Sequence, residues 1–216
     1  MELKLHSNPK YTNNESIPIS YIFEPGVTAL IGSNGSGKST ILRQIHSLFS
    51  DGNWSKIQYN DNIRNQYSSY YYNNEHEQKY RKQSWLEEFD DGTQRLARTF
   101  ENSEGQNMWD FLYYQMQDIG KAVSTAKRLG KKGIFLLFDA MDSGLSLDKL
   151  YELKSQVFDF IIHTERNTRL EIYIICSTNS YEFVKGYNCL DVTNQKHIIF
   201  NTFEKYEQYF IGGDHN

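Results

Sequence analysis

Apolar residues along the chain fall into two kinds of pattern. Ile134–Phe138 and Ile172–Cys176 are unbroken five-residue apolar runs, the form expected of strands buried on both faces. Other stretches space their apolar residues at helical intervals: Ile41, Leu42, Ile45, Leu48 and Phe49; then Met108, Leu112, Met116, Ile119, Val123 and Ala126; then Leu147, Leu150, Leu153, Val157 and Ile161, with Ser146 placed to cap the last helix. Ile19–Phe23 and Val27–Ile31 read as a short strand pair turning at Glu24-Pro25-Gly26. Gln195–Phe200 and Phe203–Ile211 read as a closing strand and helix. Alternating helices and buried strands predict an α/β fold with a mainly parallel sheet flanked by helices.

Between Tyr59 and Lys82 the text turns dense in Asn, Tyr, Gln and Ser and loses its periodicity. The expectation is one domain spanning residues 1–216, carrying a Tyr/Asn-rich insertion at about 59–84. Tyr67, Tyr70, Tyr71 and Tyr72, with Lys79, Arg81 and Lys82 nearby, are residues that could stack bases of a single strand. Glu75 and Glu77 interrupt any basic patch, and the stretch reads rather as a solvated insertion.

The remaining composition narrows the class. Lys and Arg total 23 against 27 Asp and Glu, a net charge of −4, so no global basic field draws the chain to nucleic acid or to an anionic membrane. A membrane helix needs about 18 consecutive apolar residues, far more than any run here. With no apolar stretch at Met1-Glu2-Leu3-Lys4, the expectation is a cytoplasmic protein. Cys176 and Cys189 make neither a disulfide framework nor a zinc site, and the six histidines are scattered without ligand spacing.

One segment carries definite chemistry. Gly32-Ser33-Asn34-Gly35-Ser36-Gly37-Lys38-Ser39-Thr40 matches G-x-x-x-x-G-K-[ST], follows a predicted strand and opens a predicted helix. Gly35 and Gly37 allow the backbone to curl, so that successive N–H groups from Ser33 to Thr40 face phosphate oxygens. The helix N-terminus adds its positive end. Lys38 supplies a point charge for the β- and γ-phosphates, and the Ser39 hydroxyl is a ligand for Mg²⁺. Asp139, at the end of the Ile134–Phe138 strand, is placed to hold the same ion. A nucleotide with Mg²⁺ is therefore the expected ligand, and the resemblance below implies that the nucleotide is ATP.

Asp139-Ala140-Met141-Asp142-Ser143-Gly144-Leu145-Ser146 resembles the Walker B motif and D-loop of ABC-type ATPases. The chain is similar to small soluble AAA family ATPases related to Rad50 and SMC heads. Asn102-Ser103-Glu104-Gly105-Gln106 resembles the ABC signature with Glu at its middle position, and Cys176-Ser177-Thr178-Asn179-Ser180 occupies the place of the switch-histidine segment. The resemblance spans about residues 27–191. It implies that Ser103, Gly105 and Gln106 close over ATP held by a second subunit, so that the partner is a second copy or a related chain in a complex. It also implies a Gln-loop residue, for which Gln58, Gln66 and Gln83 qualify, and an aromatic on adenine, for which Tyr11 and Tyr21 lie within reach. Two positions depart from the family pattern. Ala140 stands where a water-polarising Glu is usual, and Asn179 stands in place of the switch His. Hydrolysis is expected to be slow, with Asp142 and Asn179 the remaining candidates for catalytic roles. The competing readings are a regulator or clamp that responds to nucleotide binding alone, and a P-loop small-molecule kinase, whose Arg-rich lid is not found.

Overall fold

A computed structural model of the chain describes residues 1–6, 18–49, 61–73, 116, 118–140, 142, 145–159, 161–162 and 170–211. In order these form β1 (Glu2–His6), β2 (Pro18–Ile22), β3 (Gly26–Ile31), α1 (Lys38–Phe49), α2 (Asp61–Gln66), β4 (Tyr67–Asn73), a helix α3 over 118–128, β5 (Gly133–Asp139), α4 (Leu147–Glu152), β6 (Glu171–Ser177), α5 (Tyr181–Val184), β7 (Asn188–Asp191), β8 (Lys196–Ile198) and α6 (Phe203–Ile211). After α4 the helix widens into a π-turn over Leu153–Phe158. Ser146 holds the N-cap position of α4 without capping it; its hydroxyl donates to Asp148 Oδ1 instead.

The main sheet runs β4-β5-β6-β3-β7-β8, parallel except for the β7–β8 pair. Its central strands alternate between two cores. Ile134, Leu136 and Phe138 of β5 and Ile172, Ile174 and Cys176 of β6 face one core, with Val123 and Ala126 of α3, Leu150, Leu153 and Phe158, and Phe183 of α5. Phe135 and Leu137 of β5 and Tyr173 and Ile175 of β6 face the other, with Ile41, Leu42, Ile45 and Leu48 of α1. Burial on both faces is why these strands read as continuous apolar runs rather than alternating ones. The α/β class with a mostly parallel, helix-flanked sheet is therefore what the chain adopts.

Two expectations are corrected. β2 does not pair with β3: it runs antiparallel to β1 in a separate two-stranded sheet, which lays Leu3, Leu5, Tyr21 and Phe23 onto the α1 side of the core. Backbone bonding from Phe23 N to Met1 O (2.7 Å) extends that pairing, so the Glu24-Pro25-Gly26 turn carries the chain between sheets rather than back along one. The tyrosine-rich stretch is the second correction. Residues 61–73 are not an insertion but α2 and β4, the outermost of the described strands on that side, paired in parallel with β5 from Tyr67↔Gly133 to Asn73↔Asp139. Tyr67 and Tyr72 are 4% and 3% exposed, which removes them from any base-stacking surface. Aromatic side chains suit a pleated, half-buried strand, and here that preference outweighs the polar composition around them. The rest of the expected insertion, beyond Asn73, lies outside the described residues.

Candidate functional site

The site forms where the carboxyl ends of β3, β5 and β6 meet, the crevice that open parallel sheets use for ligands. Thr178 N donates to Leu30 O (3.3 Å) and Val192 N to Ile31 O (3.1 Å), so the chain beyond β6 and beyond β7 is tied to the last residues of β3. The loop then leaves the sheet through Gly32, Gly35 and Gly37, with φ of +144°, +84° and +103°. These are backbone conformations that L side chains rarely adopt, which is the physical content of the glycines in the motif. At Gly32 space is short as well: a Cβ there would lie 2.7 Å from Ser36 Oγ.

The loop delivers Lys38 and Ser39 to the first turn of α1, which contains no acidic residue. Lys38 Nζ donates to Gly32 O at 2.6 Å and Ser33 O at 3.2 Å. Partial burial pushes its pKa down, and the nearby carboxylates of Asp139 and Asp142 offset that shift in part. Ser39 Oγ donates to Asp139 Oδ1 at 2.9 Å, joining residues 100 positions apart. Thr40 continues the same helical turn. Ser33, Asn34 and Gly35 are exposed at the crown of the loop. Ser36 Oγ is buried there with no hydrogen-bond partner among the described residues.

Asp139 is 3% exposed and is held by donors from three elements. Oδ1 accepts from Ser39 and from Ser177 Oγ at 2.5 Å; Oδ2 accepts from Tyr71 OH and Asn73 Nδ2, each at 3.2 Å. Burial and the Asp139 charge push the Tyr71 phenol up to about 12, so it remains a neutral donor. Ser177 Oγ also accepts from Ala140 N at 2.9 Å, which fixes Ala140 with φ at +55°.

Asp142 Oδ2 accepts from Thr178 Oγ1 (2.6 Å) and Asn179 N (3.1 Å). Asn179 Nδ2 donates to Asn34 Oδ1 (3.0 Å), and its carbonyl accepts from Tyr206 OH on α6 (2.7 Å). The structure thus brings together the phosphate loop, Asp139, Asp142 and Asn179. Ser103, Gly105 and Gln106 lie outside the described residues, as do Tyr11, Gln58 and Gln83. Gln66 lies at the wrong end of β4, where its carbonyl accepts from Lys132 N at 2.6 Å. Tyr21 is a core residue, 5% exposed and stacked on Phe23 at 6.5 Å. Cys176 and Cys189 are both buried with free thiols, their pKa values raised by desolvation.

Tyr71 and Asn73 are not visible as site residues in the sequence; they arrive by strand register, since Asn73 lies level with Asp139, and their signal is the aromatic strand preference of a segment that reads as polar. Ser177 lies within the Cys176–Ser180 segment that the sequence marks, but its contact with Asp139 is set by the end of β6.

Against this geometry, a family model described as an AAA domain matches residues 7–209. The chain belongs to the AAA-domain family. That family is found in Rad50- and SMC-type proteins, in agreement with the resemblance carried by the motifs. Membership makes this AAA-domain chain, at the coarse level, a nucleotide-binding ATPase domain. The sequence matches no curated protein. Among the described residues no helix is long and apolar enough to cross a membrane.

The AAA-domain site fits a nucleotide with magnesium on its own chemistry. A serine hydroxyl and a carboxylate oxygen in contact are the hard oxygen donors that Mg²⁺ prefers. The lysine ammonium and the acid-free helix N-terminus on the other side of the loop suit phosphate.

Proposed function

We propose that this chain is an ABC-type ATPase that binds ATP with Mg²⁺ and closes around it with a second copy or a related subunit. The observation that carries the reading is the Ser39 Oγ–Asp139 Oδ1 contact beside Lys38. It unites both halves of a phosphate and metal site from distant parts of the chain. Backbone N–H groups from Ser33 to Thr40 bind the triphosphate, Lys38 takes the β/γ region, and Ser39 and Asp139 hold the metal. When bound, magnesium neutralises charge on the phosphates. Asn73 takes the position of the Gln-loop amide, and Ser103, Gly105 and Gln106 of the second subunit complete the site. The output of the cycle is the driving or gating of a partner complex.

Two features support slow turnover. Ala140 offers no carboxylate to polarise water, and the Asp142 oxygen nearest the switch segment is already occupied by Thr178 and Asn179. Those contacts suit Asp142 to holding Asn179 over Asn34. The same observations favour, as a second reading, a subunit that switches on nucleotide binding without hydrolysis.

Titration calorimetry with ATP–Mg²⁺, together with a phosphate-release assay, tests both. Lys38→Ala removes charge-assisted hydrogen bonds worth about 1.5–3 kcal/mol, so affinity is expected to fall about 10- to 100-fold. Unchanged affinity overturns the assignment of the loop. Ala140→Glu restores the missing base, a group whose presence is typically worth about 10²–10⁴ in rate. A marked rise in phosphate release identifies a hydrolase lacking its base, whereas no release from either protein favours the binding-only switch.

A further inference from the structure

We propose that Tyr71 is a positioning residue for the metal-binding carboxylate, fixing which oxygen Asp139 presents to a divalent cation. This inference rests on the ATP–Mg²⁺ reading of the site and adds a residue to it that no motif contains.

A carboxylate can rotate about its Cβ–Cγ bond and exchange its two oxygens. At Asp139 that freedom is removed from both sides. Oδ1 accepts from Ser39 Oγ of the P-loop helix and, at 2.5 Å, from Ser177 Oγ of β6, while Oδ2 is retained by Tyr71 OH and Asn73 Nδ2 of β4. Asn73 Nδ2 also donates to Tyr71 OH at 3.1 Å, so the two donors are held relative to each other. With Oδ2 turned to β4 and Oδ1 secured from the β6 side by Ser177, Oδ1 is the oxygen set beside the Ser39 hydroxyl, the position from which the two can hold a cation together.

Tyr71 is itself placed by the helix that carries Ser39. Its ring stacks on His46 of α1, with centroids 5.4 Å apart and planes 24° from parallel. His46 Nδ1 lies 2.9 Å from Ser69 Oγ, one strand pleat back along β4. Strand β4 and the P-loop helix are thereby locked together immediately behind the metal oxygens. An aromatic ring that carries a hydroxyl meets both requirements at once, since the ring keys to α1 and the hydroxyl keys to Asp139. Groups that orient metal ligands in this way commonly change metal affinity by about 10- to 100-fold when removed.

Tyr71→Phe keeps the ring and its stack and deletes only the donor. The test measures ATP affinity in EDTA, and then the Mg²⁺ concentration at half-maximal stabilisation of the ATP complex, on wild type and variant. The expected result is an unchanged affinity in EDTA and a Mg²⁺ midpoint raised about tenfold. Asn73→Ala removes the other donor to the same oxygen and is expected to move the midpoint in the same direction, so a Phe variant that fails to fold does not end the test. An unchanged midpoint in a variant that binds ATP normally overturns the role of Tyr71 and leaves the ATP reading standing. Equal losses with and without Mg²⁺ mark a merely structural tyrosine and also overturn it. Failure of the wild-type chain to bind ATP under either condition overturns the ATP reading and this role together.

Discussion

At the scale of single residues the site depends on backbone conformations as much as on side-chain chemistry. Ala140 takes a left-handed φ of +55°, which costs an L-residue roughly 1–2 kcal/mol and is held by the Ser177 hydroxyl on its amide. Because any L side chain shares most of that cost, introducing Glu at position 140 leaves the local backbone nearly as it is. Gly32 is the opposite case. Its φ of +144° lies outside what alanine tolerates, and a Cβ would press on Ser36 Oγ at 2.7 Å and on Val192 Cγ2 at 3.2 Å. Gly32→Ala is therefore expected to cost about 1–3 kcal/mol and to weaken ATP binding by distorting the loop. Urea unfolding measures the first and calorimetry the second; a variant as stable as wild type shows that the loop rearranges without strain.

At the scale of elements, legibility in the sequence follows burial and contiguity. β5 and β6 were readable because both of their faces are covered, leaving runs with no polar alternation. β7, of four residues, is too short to show a pattern, and β4 is hidden by its Asn, Ser and Tyr content, whereas β8 lies within the strand expected over Gln195–Phe200. The Gly32–Thr40 motif stands out in the sequence since its residues are consecutive, whereas the surroundings of Asp139 assemble by register between strands distant in sequence. The unforeseen end of β7 supports a prediction of its own. Asp191, 1% exposed, accepts from Thr193 N (2.7 Å), Asn194 N (3.2 Å), Asn194 Nδ2 (3.0 Å) and the Tyr209 hydroxyl of α6, so one carboxylate ties the β7–β8 turn to the last helix. Burial alone would raise its pKa, but these donors outweigh burial and hold it below the usual carboxylate value. A depressed folded pKa means that the unfolded chain binds more protons in acid. The stabilisation is then complete above the unfolded value of about 3.9 and is lost as pH falls through the folded one. Asp191→Asn is expected to lose about 1–3 kcal/mol at pH 7, with the gap to wild type shrinking below about pH 4. Thermal melts from pH 7 to pH 3 read this directly, and a gap independent of pH assigns the effect to packing instead.

For the whole molecule, the decisive matter is whether one chain makes a complete site. The described residues enclose the phosphate loop from below and behind: Asp139 with its β4 and β6 donors on one side, Asp142 and Asn179 on another. The crown at Ser33, Asn34 and Gly35 is exposed. The motif likeness to ABC-type heads supplies what would cover that crown, namely Ser103, Gly105 and Gln106 of a second copy, with ATP as the shared ligand. Each copy carries a net charge of −4, so association has to overcome like-charge repulsion, and a bound nucleotide contacted from both sides is the source of free energy suited to doing so. Size-exclusion chromatography with light scattering is therefore expected to give the 25.4 kDa monomer without nucleotide and twice that mass with ATP–Mg²⁺. Lys38→Ala is expected to remain monomeric because it holds the nucleotide weakly. Ser103→Arg is expected to keep ATP binding to the monomer yet fail to dimerise, its apparent affinity falling below wild type only by the share that dimerisation adds, since on the signature reading Ser103 serves the ATP of the other copy. If Ser103→Arg dimerises as readily as wild type, or if wild type stays monomeric at saturating ATP, closure by the signature of a second copy is wrong.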